Sequence, residues 1–387
     1  MDSRGRKKRK GIFAIICLTA IIAGVVFFIF SRAERYSINS FASFTPRSAQ
    51  TIAFFEGLGA GWNLGNTLDA HNGSFTSDTV SDYAGLWGNP QPDARLFKAL
   101  YAAGFRTVRI PVTWYPHMDG QHWVNGAWMD YVRQTVDYAL DAGLYVIVNA
   151  HHDNWYSPFA ENIDRAVEML AVLWEQISSH FAEYDERLIF EGMNEPRLVG
   201  NAEEWTAGTP GARQGVDRLN QVFVDTVRAS GGKNAGRYLL VTTYAAIILP
   251  EALEGFTVPE DDRTALSLHI YQPLDFALIP DGTDKWSPAD DNDLLGQVFG
   301  SLYKAVVSRG LPVVMTEYGT LDKNNTETRV AWARYVREKA AEARIPCIWW
   351  DNGIARGNSP KGTFALLNRV SLEWYFPEIV DAITERK

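Results

Sequence analysis

Two segments, RLIFEGMNE at Arg187–Glu195 and LPVVMTEYG at Leu311–Gly319, decide the expected fold of this chain. Each contains an apolar run of the length of a buried β-strand, and each run leads to a glutamate, Glu195 in the first segment and Glu317 in the second. Near-continuous apolar strands are typical of parallel sheets that are covered on both faces. Both carboxylates are therefore expected where a buried strand runs out into a loop.

Similar apolar runs recur along the chain and are separated by amphipathic stretches. The other strand candidates are Gly61–Asn66, Phe105–Val112, Leu144–His152, Arg237–Tyr244, Thr264–Tyr271 and Ile345–Gly353. The predicted helices include Asp93–Ala103, Met129–Ala142, Arg165–Phe181, Gly215–Ser230, Asp293–Ser308 and Thr328–Ala343. Strands that alternate with helices indicate an α/β fold with a parallel sheet, and eight such units predict a (β/α)8 TIM barrel.

A doubly wound sheet is the alternative fold, and the positions of the polar and aromatic residues argue against it. A doubly wound sheet binds its ligand at a single crevice. In this sequence such residues mark the ends of nearly all the strand candidates, and only a closed barrel brings all those ends to one rim. The residues are Asn63, Asn66, Arg109, His151, His152, Asn194, Glu195, His269, Tyr271, Glu317, Trp349 and Trp350.

The two glutamates suggest acid–base and nucleophilic chemistry at that rim. They belong to the fourth and seventh strands of the predicted barrel and would face each other across its mouth. A retaining glycoside hydrolase needs two carboxyl groups about 5–5.5 Å apart. Glu317 is the predicted nucleophile, which Arg109 and Tyr271 could keep ionised. Glu195 is the predicted acid/base, whose pKa must rise for it to donate a proton near neutral pH.

The histidines at the predicted rim could bind either a metal or a sugar. His151 and His152 are adjacent, and adjacent residues of a strand point to opposite faces, so both could enter the barrel mouth only if the strand has ended. No further set of Cys or His ligands accompanies them, so a sugar hydroxyl is the favoured partner, and we predict no metal and no other cofactor. His269 and Tyr271 share one face of their strand and are candidate site residues, with packing in the core as the alternative.

Tryptophan is frequent near the predicted strand ends. Aromatic rings can stack on the C–H faces of pyranose rings, so a cleft lined by indoles fits a polysaccharide. We predict that Trp350 contributes to substrate binding, together with Trp155 and Trp114. Asn63, at the end of the first strand, is a further candidate for substrate binding, whereas Trp62 is expected to be packed.

The first thirty residues differ from the rest of the chain. The basic run at Arg4–Lys10 precedes an uncharged apolar stretch at Gly11–Phe30, which is long enough to span a bilayer as a helix. No small-residue cleavage site follows it. We therefore expect a basic cytoplasmic tail (1–10), a transmembrane signal anchor (11–30), a linker (31–50) and one extracellular catalytic domain (51–387) on a single-pass protein of the cell membrane. Secretion after cleavage of the apolar segment is the alternative.

Charge separates the N-terminal segment from the remaining chain. The net charge of the whole chain is −9, and residues 1–35 carry a net +6, so the remainder carries −15. An acidic domain repels phosphate backbones, so nucleic acid is not an expected partner. The expected partners are a β-glucan chain and, through residues 11–30, a membrane, and the protein is expected to be a monomer.

Seven segments in order resemble glycoside hydrolase family 5, and the resemblance covers nearly all of residues 52–383. The segments are GWNLGNTLDA, RIPVTW, NAHHD, FEGMNEPR, LHIYQP, TEYG and WWDNG. The first and last are most similar to subfamily 4, which contains endo-β-1,4-glucanases, xyloglucanases and lichenases. The resemblance implies that Glu195 is the acid/base and Glu317 the nucleophile. It also implies that the glycosyl-enzyme subsite is lined by Arg109, His151 or His152, Asn194, His269, Tyr271 and Trp350, with Asn194 on the 2-hydroxyl.

The sequence therefore predicts a surface-anchored, retaining, endo-acting hydrolase of β-1,4-glucan, acting on cellulose-like chains, mixed-linkage β-glucan or xyloglucan. A β-mannanase or another β-glycanase on the same scaffold is an alternative. A catalytically silent carbohydrate receptor is an alternative of another class, although both glutamates and their polar neighbours are present.

Overall fold

The structure is a computed structural model that describes residues 36–73, 76–290, 292–355 and 362–385. Its centre is a closed barrel in which each strand pairs in parallel with the next and the last pairs with the first. This arrangement confirms the predicted (β/α)8 TIM barrel. The strands are β1 (Gly61–Leu64), β2 (Thr107–Ile110), β3 (Tyr145–Asn149), β4 (Leu188–Glu191), β5 (Leu239–Thr242), β6 (Thr264–Ile270), β7 (Val313–Tyr318) and β8 (Cys347–Asp351).

Helices follow the strands and cover the outside of the barrel. Several begin at a residue whose side chain caps the helix: Asp93 accepts the backbone N–H of Arg95, and Thr209 accepts that of Ala212 just before Pro210. The described helices are Ala49–Glu56, Ser81–Ala84, Ala94–Ala102, Gly126–Asp141, Ile163–His180, Pro210–Ala229, Pro250–Glu254, Leu274–Ala277, Leu294–Ala305, Thr326–Glu342 and Pro377–Thr384.

The interior of the barrel is apolar at one end. A buried cluster contains side chains from most of the strands together with Phe55 of the first described helix. In this cluster Phe54 stacks on Tyr238 with ring centroids 3.5 Å apart. Closure of this N-terminal end leaves the polar interior residues near the C-terminal end, where active sites of this fold lie. The strand residues of the cluster are Ile147, Ile189, Leu240, Ala265, Val314 and Ile348, and Tyr238 directly precedes β5.

The strands are shorter than predicted, which changes where the first glutamate lies. β4 ends at Glu191, so Glu195 lies in the following loop, whereas Glu317 is a residue of β7 itself. The ladder stops because the loops after β3 and β4 bond to each other, the N–H of Asn194 donating to the carbonyl of Ala150. β3 likewise ends at Asn149, which frees both following histidines from strand alternation.

The segment predicted as a linker is instead largely part of the folded domain. Tyr36 is buried and its hydroxyl donates to the carbonyl of Ile248. Arg47 is also buried and donates to the carbonyls of Pro259 and Thr264. The described part of the predicted linker (31–50) therefore packs on the barrel through both apolar and polar contacts.

The predicted signal anchor, residues 11–30, lies outside the described residues. Within the described ranges, no helix combines the length and hydrophobicity that crossing a bilayer requires.

Candidate active site

The side chain of Arg109 in β2 connects most of the polar residues at the C-terminal end of the barrel. It is fully buried, and its Nε donates to Glu191 of β4 at 2.6 Å. Nη1 donates to Glu317 at 2.8 Å and to Asn63 at 3.0 Å, and Nη2 donates to Asn194 at 2.7 Å. A buried guanidinium is tolerated because two carboxylates pair with it. Although burial opposes its charge, those carboxylates raise the pKa of Arg109, so it stays cationic.

Glu317 is held by two hydrogen-bond donors, one on each carboxylate oxygen. Its Oε1 accepts from Arg109, and its Oε2 accepts from the hydroxyl of Tyr271 at 2.8 Å. Burial and the neighbouring Glu317 charge raise the pKa of Tyr271, so its hydroxyl keeps the proton that it donates. The sequence prediction that Arg109 and Tyr271 contact Glu317 agrees with this geometry.

Glu195 has cationic neighbours on two sides. Its Oε1 lies 2.8 Å from Nδ1 of His269, and its Oε2 lies 3.7 Å from Nη1 of Arg197. Arg197 is fixed in turn by Glu204 at 3.0 Å and by the ring of Trp205, which lies 4.3 Å from the guanidinium carbon. Glu195 is partly exposed to the cleft, so a substrate oxygen could reach it.

The pKa of Glu195 shifts in the direction opposite to the sequence prediction. Burial acts to raise it, but the hydrogen bond from His269 and the charges of His269 and Arg197 outweigh burial and lower it. For His269, burial acts to lower the pKa, and Glu317 and Glu195 together raise it. In the free enzyme the pair therefore holds its proton on His269 rather than on Glu195.

The two glutamates are close to each other. One oxygen of Glu195, one oxygen of Glu317 and a ring nitrogen of His269 all lie within 4.8 Å of one another. Inverting glycosidases separate their carboxyl groups by about 6.5–9.5 Å to admit a water, whereas retaining enzymes use about 5–5.5 Å. The separation here suits direct attack by one carboxylate.

His151, His152 and Trp350 line the same cavity, which has a volume of about 300 Å³. The rings of His151 and Trp350 are parallel within 2°, with centroids 5.6 Å apart. Burial and the nearby cationic groups lower the pKa of His151, so it is neutral, and its Nδ1 lies 3.2 Å from the amide nitrogen of Asn149. With Nδ1 as acceptor, Nε2 carries the proton and can donate to a sugar hydroxyl.

Three of the predicted substrate-binding residues lie elsewhere. Asn63 is fully buried, and its amide donates to the carbonyl of Thr316 while its oxygen accepts from Arg109, so it supports the site from below. Trp114 is fully buried with its N–H on the carbonyl of Asn149. Trp155 packs edge-on against Tyr156 and does not line the cavity around the glutamates. The aromatic content of a loop does not reveal which side of the loop a ring occupies.

Sequence reasoning missed several residues that shape the site. Glu191 binds Arg109 through one oxygen and accepts from the hydroxyl of Ser267 at 2.6 Å through the other. A glutamate and an arginine each embedded in an apolar strand run were the available signal, because such charges are buried only when paired. Arg197 was missed because its loop position resembles that of a surface residue.

Two groups of described side chains come close enough to hold a metal ion, Asp69–His151–His152 and Glu195–His269–Glu317. In the first, the Asp69 carboxylate already accepts the backbone N–H groups of Asn66 and Thr67. In the second, Nδ1 of His269 is hydrogen-bonded to Glu195. The prediction of a metal-free site stays a prediction that a chelator can test.

A closed (β/α)8 barrel with one carboxylate just after its fourth strand and a second on its seventh, both at the C-terminal end, has the paired carboxyl groups of a retaining glycoside hydrolase. The family model described as Cellulase (glycosyl hydrolase family 5) matches residues 68–356. The chain is therefore a glycoside hydrolase and belongs to family 5, as its motifs predicted.

Relatives and solved structures agree with this family assignment. Endoglucanase 1 of Ruminococcus albus is 43% identical over 323 residues, which are 83% of this chain and 77% of the relative. The GH5-4 broad specificity endoglucanase of Clostridium longisporum superposes with a TM-score of 0.82 at 37% identity, covering 88% of this chain and 98% of that one.

XEG5A, a xyloglucan-specific endo-β-1,4-glucanase from a metagenomic library solved with cellotriose, is also similar. It has a TM-score of 0.82 at 36% identity and covers 87% of this chain and 99% of its own. The predicted likeness to subfamily 4 is confirmed by the structural neighbours.

Proposed function

We propose that this chain is a retaining endo-β-1,4-glucanase in which Glu317 is the nucleophile and Glu195 the acid/base. The carboxylate separation of no more than 4.8 Å between their nearest oxygens carries the proposal. Relatives that are endoglucanases support the choice of β-1,4-glucan, with mixed-linkage β-glucan and xyloglucan as further substrates.

In the first step, a Glu317 oxygen attacks the anomeric carbon of the glucosyl unit and the bond to the leaving oxygen breaks. Glu195 gives its proton to that oxygen, so the shortened chain leaves as a neutral alcohol. Arg109 and Tyr271 orient Glu317 by donating one hydrogen bond to each of its carboxylate oxygens. Glu317 loses its negative charge when it forms the ester. Arg109 then still has a buried carboxylate partner, because it remains paired with Glu191.

In the second step, water attacks the anomeric carbon from the face opposite to the ester bond, and Glu195 accepts a proton from that water. The ester bond to Glu317 breaks, Glu317 regains its negative charge, and the product keeps the original anomeric configuration. One residue therefore acts first as acid and then as base.

The proton for the first step is supplied by the Glu195–His269 pair. A proton on Nδ1 of His269 is only one hydrogen bond, of 2.8 Å, from Glu195. Substrate binding removes water from the cleft, which disfavours the charged pair and favours neutral imidazole with protonated carboxyl. This transfer reconciles a lowered pKa of Glu195 in the free enzyme with its role as acid.

Asn194 is placed to contact the 2-hydroxyl of the sugar attacked by Glu317. Its side-chain oxygen is occupied by Arg109, which leaves its NH2 group as the donor toward the cavity. Glucose and mannose differ in the orientation of this hydroxyl, so the fixed amide favours one of the two. The β-mannanase and receptor alternatives predict different outcomes when the chain is offered glucans and mannan.

The test is hydrolysis of carboxymethylcellulose, mixed-linkage β-glucan, xyloglucan and mannan by the purified chain, beside the Glu317→Ala variant. We expect wild type to release oligosaccharides from the glucans and the variant to release none while still binding them. Cleavage of mannan alone would keep the mechanism and replace the substrate. A wild type that binds glucan without cleaving it would establish the receptor alternative.

The same proposal places the chain at a membrane through residues 11–30, with the catalytic domain outside the cell. The described chain begins at Tyr36, whose hydroxyl bonds to Ile248 at the rim of the cleft. Residues 31–35 can span at most about 18 Å when extended, so an anchored domain would hold this rim close to the membrane surface.

Cell fractionation tests this location. We expect the full chain to stay with membranes after alkaline carbonate washing and a variant without residues 11–30 to be released. Recovery of wild type in the medium, with a new N-terminus after residue 30, would establish the secreted alternative.

A further inference from the structure

The acid/base Glu195 lies beside an arginine that does not close on it. Nη1 of Arg197 is 3.7 Å from Oε2 of Glu195, which is longer than the usual charge-assisted hydrogen bond of about 2.7–2.9 Å. The same nitrogen donates instead to the backbone carbonyl of Glu195 at 3.1 Å. Both side chains are half-buried, where an arginine and a carboxylate attract each other strongly. Another contact must therefore hold the two charged groups apart.

The carboxylate of Glu204 provides that contact. Its Oε1 accepts from Nε of Arg197 at 3.0 Å, and Glu204 is buried. Among the described residues, the carboxylates near Arg197 are that of Glu204, within hydrogen-bond distance, and that of Glu195, beyond it. The ring of Trp205 covers one face of the guanidinium, with its centroid 4.3 Å from the guanidinium carbon. Glu204 and Glu195 thus compete for one positive charge, and Glu204 holds it.

Glu204 is itself fixed by the loop that follows Glu195. Its Oε2 accepts the N–H of Gly200 at 2.8 Å. The buried hydroxyl of Tyr244 accepts the N–H of Leu198 at 3.0 Å and donates to the carbonyl of Glu203 at 2.9 Å. These bonds tie the two ends of the loop to each other, so Glu204 cannot follow Arg197 toward the cleft.

A carboxylate that pairs tightly with an arginine stays ionised and is a poor proton donor. We propose that Glu204 is a positioning residue of the reaction, which holds Arg197 away from Glu195 so that the acid/base can take up and give its proton. The inference rests on the proposed function, in which Glu195 protonates the leaving oxygen. Glu204 is not among the residues that line the cavity, so it acts through Arg197.

Several titratable groups face Glu195 from the elements around it. Burial raises the pKa of Glu195, and its contacts with His269, Arg197 and His152 outweigh burial and lower it. Of the groups around Glu195, Arg197 is the one bonded to Glu204, so a change at Glu204 should reach Glu195 through Arg197. The groups are His152 and Tyr156 after β3, Arg197 after β4, His269 of β6, Tyr271 after β6 and Glu317 of β7.

The Glu204→Gln variant tests the inference through the pH dependence of kcat/KM. Glutamine has no charge and one acceptor oxygen, so it cannot accept from both Arg197 and Gly200. We expect Arg197 to close on Glu195 and the alkaline limb on cellotetraose to move to lower pH by about one unit, which is about a tenfold loss above the limb. Glu204→Asp, which keeps the charge, should recover most of this shift. An unmoved limb in Glu204→Gln would overturn the inference.

A matched control and a second substrate exclude a general structural effect. Glu203→Gln neutralises the adjacent glutamate, whose backbone carbonyl rather than its carboxylate bonds to Tyr244, and should leave the limb unchanged. Dinitrophenyl β-cellobioside has a leaving group that departs without a proton, so Glu204→Gln should keep its kcat/KM within about twofold of wild type. An equal loss on this substrate and on cellotetraose would show that Glu204 does not act on the acid.

A double variant separates an effect through Arg197 from a direct effect of the Glu204 charge. In the Arg197→Met background, Glu204→Gln should move the limb by less than about 0.2 pH unit, because the group that it positions is gone. A shift of one unit in that background as well would show that Glu204 acts on Glu195 directly, and would overturn the inference.

Titration of the free protein gives the same comparison without turnover. With the glutamate carboxyl carbons labelled with ¹³C, and the Glu195 signal assigned from the Glu195→Gln spectrum, Glu204→Gln should lower the apparent pKa of Glu195 relative to wild type. If wild type hydrolyses no glucan, the proposed function fails, whereas this titration still decides whether Glu204 holds Arg197 away from Glu195. An unchanged titration of Glu195 would reject the role given to Glu204.

Discussion

The imidazole of His269 is joined to Glu195 by a hydrogen bond of 2.8 Å between Nδ1 and Oε1. The same nitrogen lies 3.6 Å from Oε2 of Glu317, so one ring stands between the two carboxylates. Both carboxylates raise the pKa of His269 against its burial, so the proposed mechanism draws the proton for leaving-group departure from this neighbour of the acid.

A proton held by the Glu195–His269 pair predicts the alkaline limb of the pH–rate profile. The pKa of His269 is raised above the ordinary histidine value of about 6.5. The pair therefore carries its proton below that raised pKa and loses it as the pH rises through it. We expect kcat/KM to fall on the alkaline side with an apparent pKa above 6.5, measured on a soluble cello-oligosaccharide.

Two variants should move that limb in opposite directions. Arg197→Met removes a positive charge 3.7 Å from Glu195 and should move the limb to higher pH. His269→Asn removes the imidazole, so within this pair only the carboxyl of Glu195 can carry the proton. This variant should move the alkaline limb to lower pH. A limb that is the same in wild type and both variants would show that this pair does not supply the proton.

The role of Glu195 as the acid/base can be tested by substitution followed by chemical rescue. We expect Glu195→Ala to lower kcat on glucans by about 10²–10⁴, the usual contribution of general acid–base catalysis. On an activated aryl β-cellobioside, whose leaving group departs without a proton, azide needs no base and should restore turnover of this variant, giving a β-glycosyl azide. An α-glycosyl azide as the rescued product would instead identify Glu195 as the nucleophile.

The buried charges around Arg109 predict a large effect on stability. Arg109→Met leaves Glu191 and Glu317 without their counter-charge and should lower the free energy of unfolding by about 3–5 kcal/mol, measured by urea denaturation. Adding Glu191→Gln removes one unpaired carboxylate and should restore part of that loss. A loss below about 1 kcal/mol in the single variant would contradict the role given to this pair.

Substitution of two tryptophans distinguishes a ring that lines the cleft from a ring that is packed in the core. Trp350→Ala should raise KM for cellotetraose by roughly five- to tenfold, because its ring faces the cavity. Trp114→Ala should lower the free energy of unfolding by about 3–5 kcal/mol through loss of a fully buried side chain. An increase in KM in the folded Trp114→Ala protein equal to that of Trp350→Ala would contradict the placement of Trp114 in the core.

Metal independence is a further prediction. Nδ1 of His269 is hydrogen-bonded to Oε1 of Glu195, and Oε1 of Glu317 is paired with Arg109. We expect activity to be unchanged after dialysis against a chelator, with added Ca²⁺ or Zn²⁺ having no stimulating effect. Loss of activity with the chelator and recovery with one ion would show that one of the two candidate groups binds metal.

The barrel and the two glutamates could be predicted because their signals are local in sequence. Apolar runs alternating with amphipathic helices specify the fold, and polar residues at strand ends are brought to one rim by closure. The strand ends were less predictable, because they depend on bonds between loops such as that of Asn194 with Ala150. The spacing of residues along the sequence does not predict hydrogen bonds between loops.

Other features depend on which side of an element faces which neighbour. Asn63 and Trp114 were placed in the cleft, although the first lies beneath it and the second in the core. The segment that begins at Tyr36 was assigned to a linker because it lacks periodicity, yet it packs on the barrel through Arg47 and Tyr36. A segment without regular secondary structure can still be bound by its side chains.

The proposed mechanism requires that Glu317 form a covalent bond to the sugar. The direct measurement is inactivation with a 2-deoxy-2-fluoro-β-cellobioside that bears an activated leaving group, followed by peptide mapping by mass spectrometry. We predict one added fluorocellobiosyl group, carried by the peptide that contains Glu317, and release of the group when a glucan acceptor is added. Full retention of activity with no added mass, or labelling of Glu195 instead, would exclude Glu317 as the nucleophile.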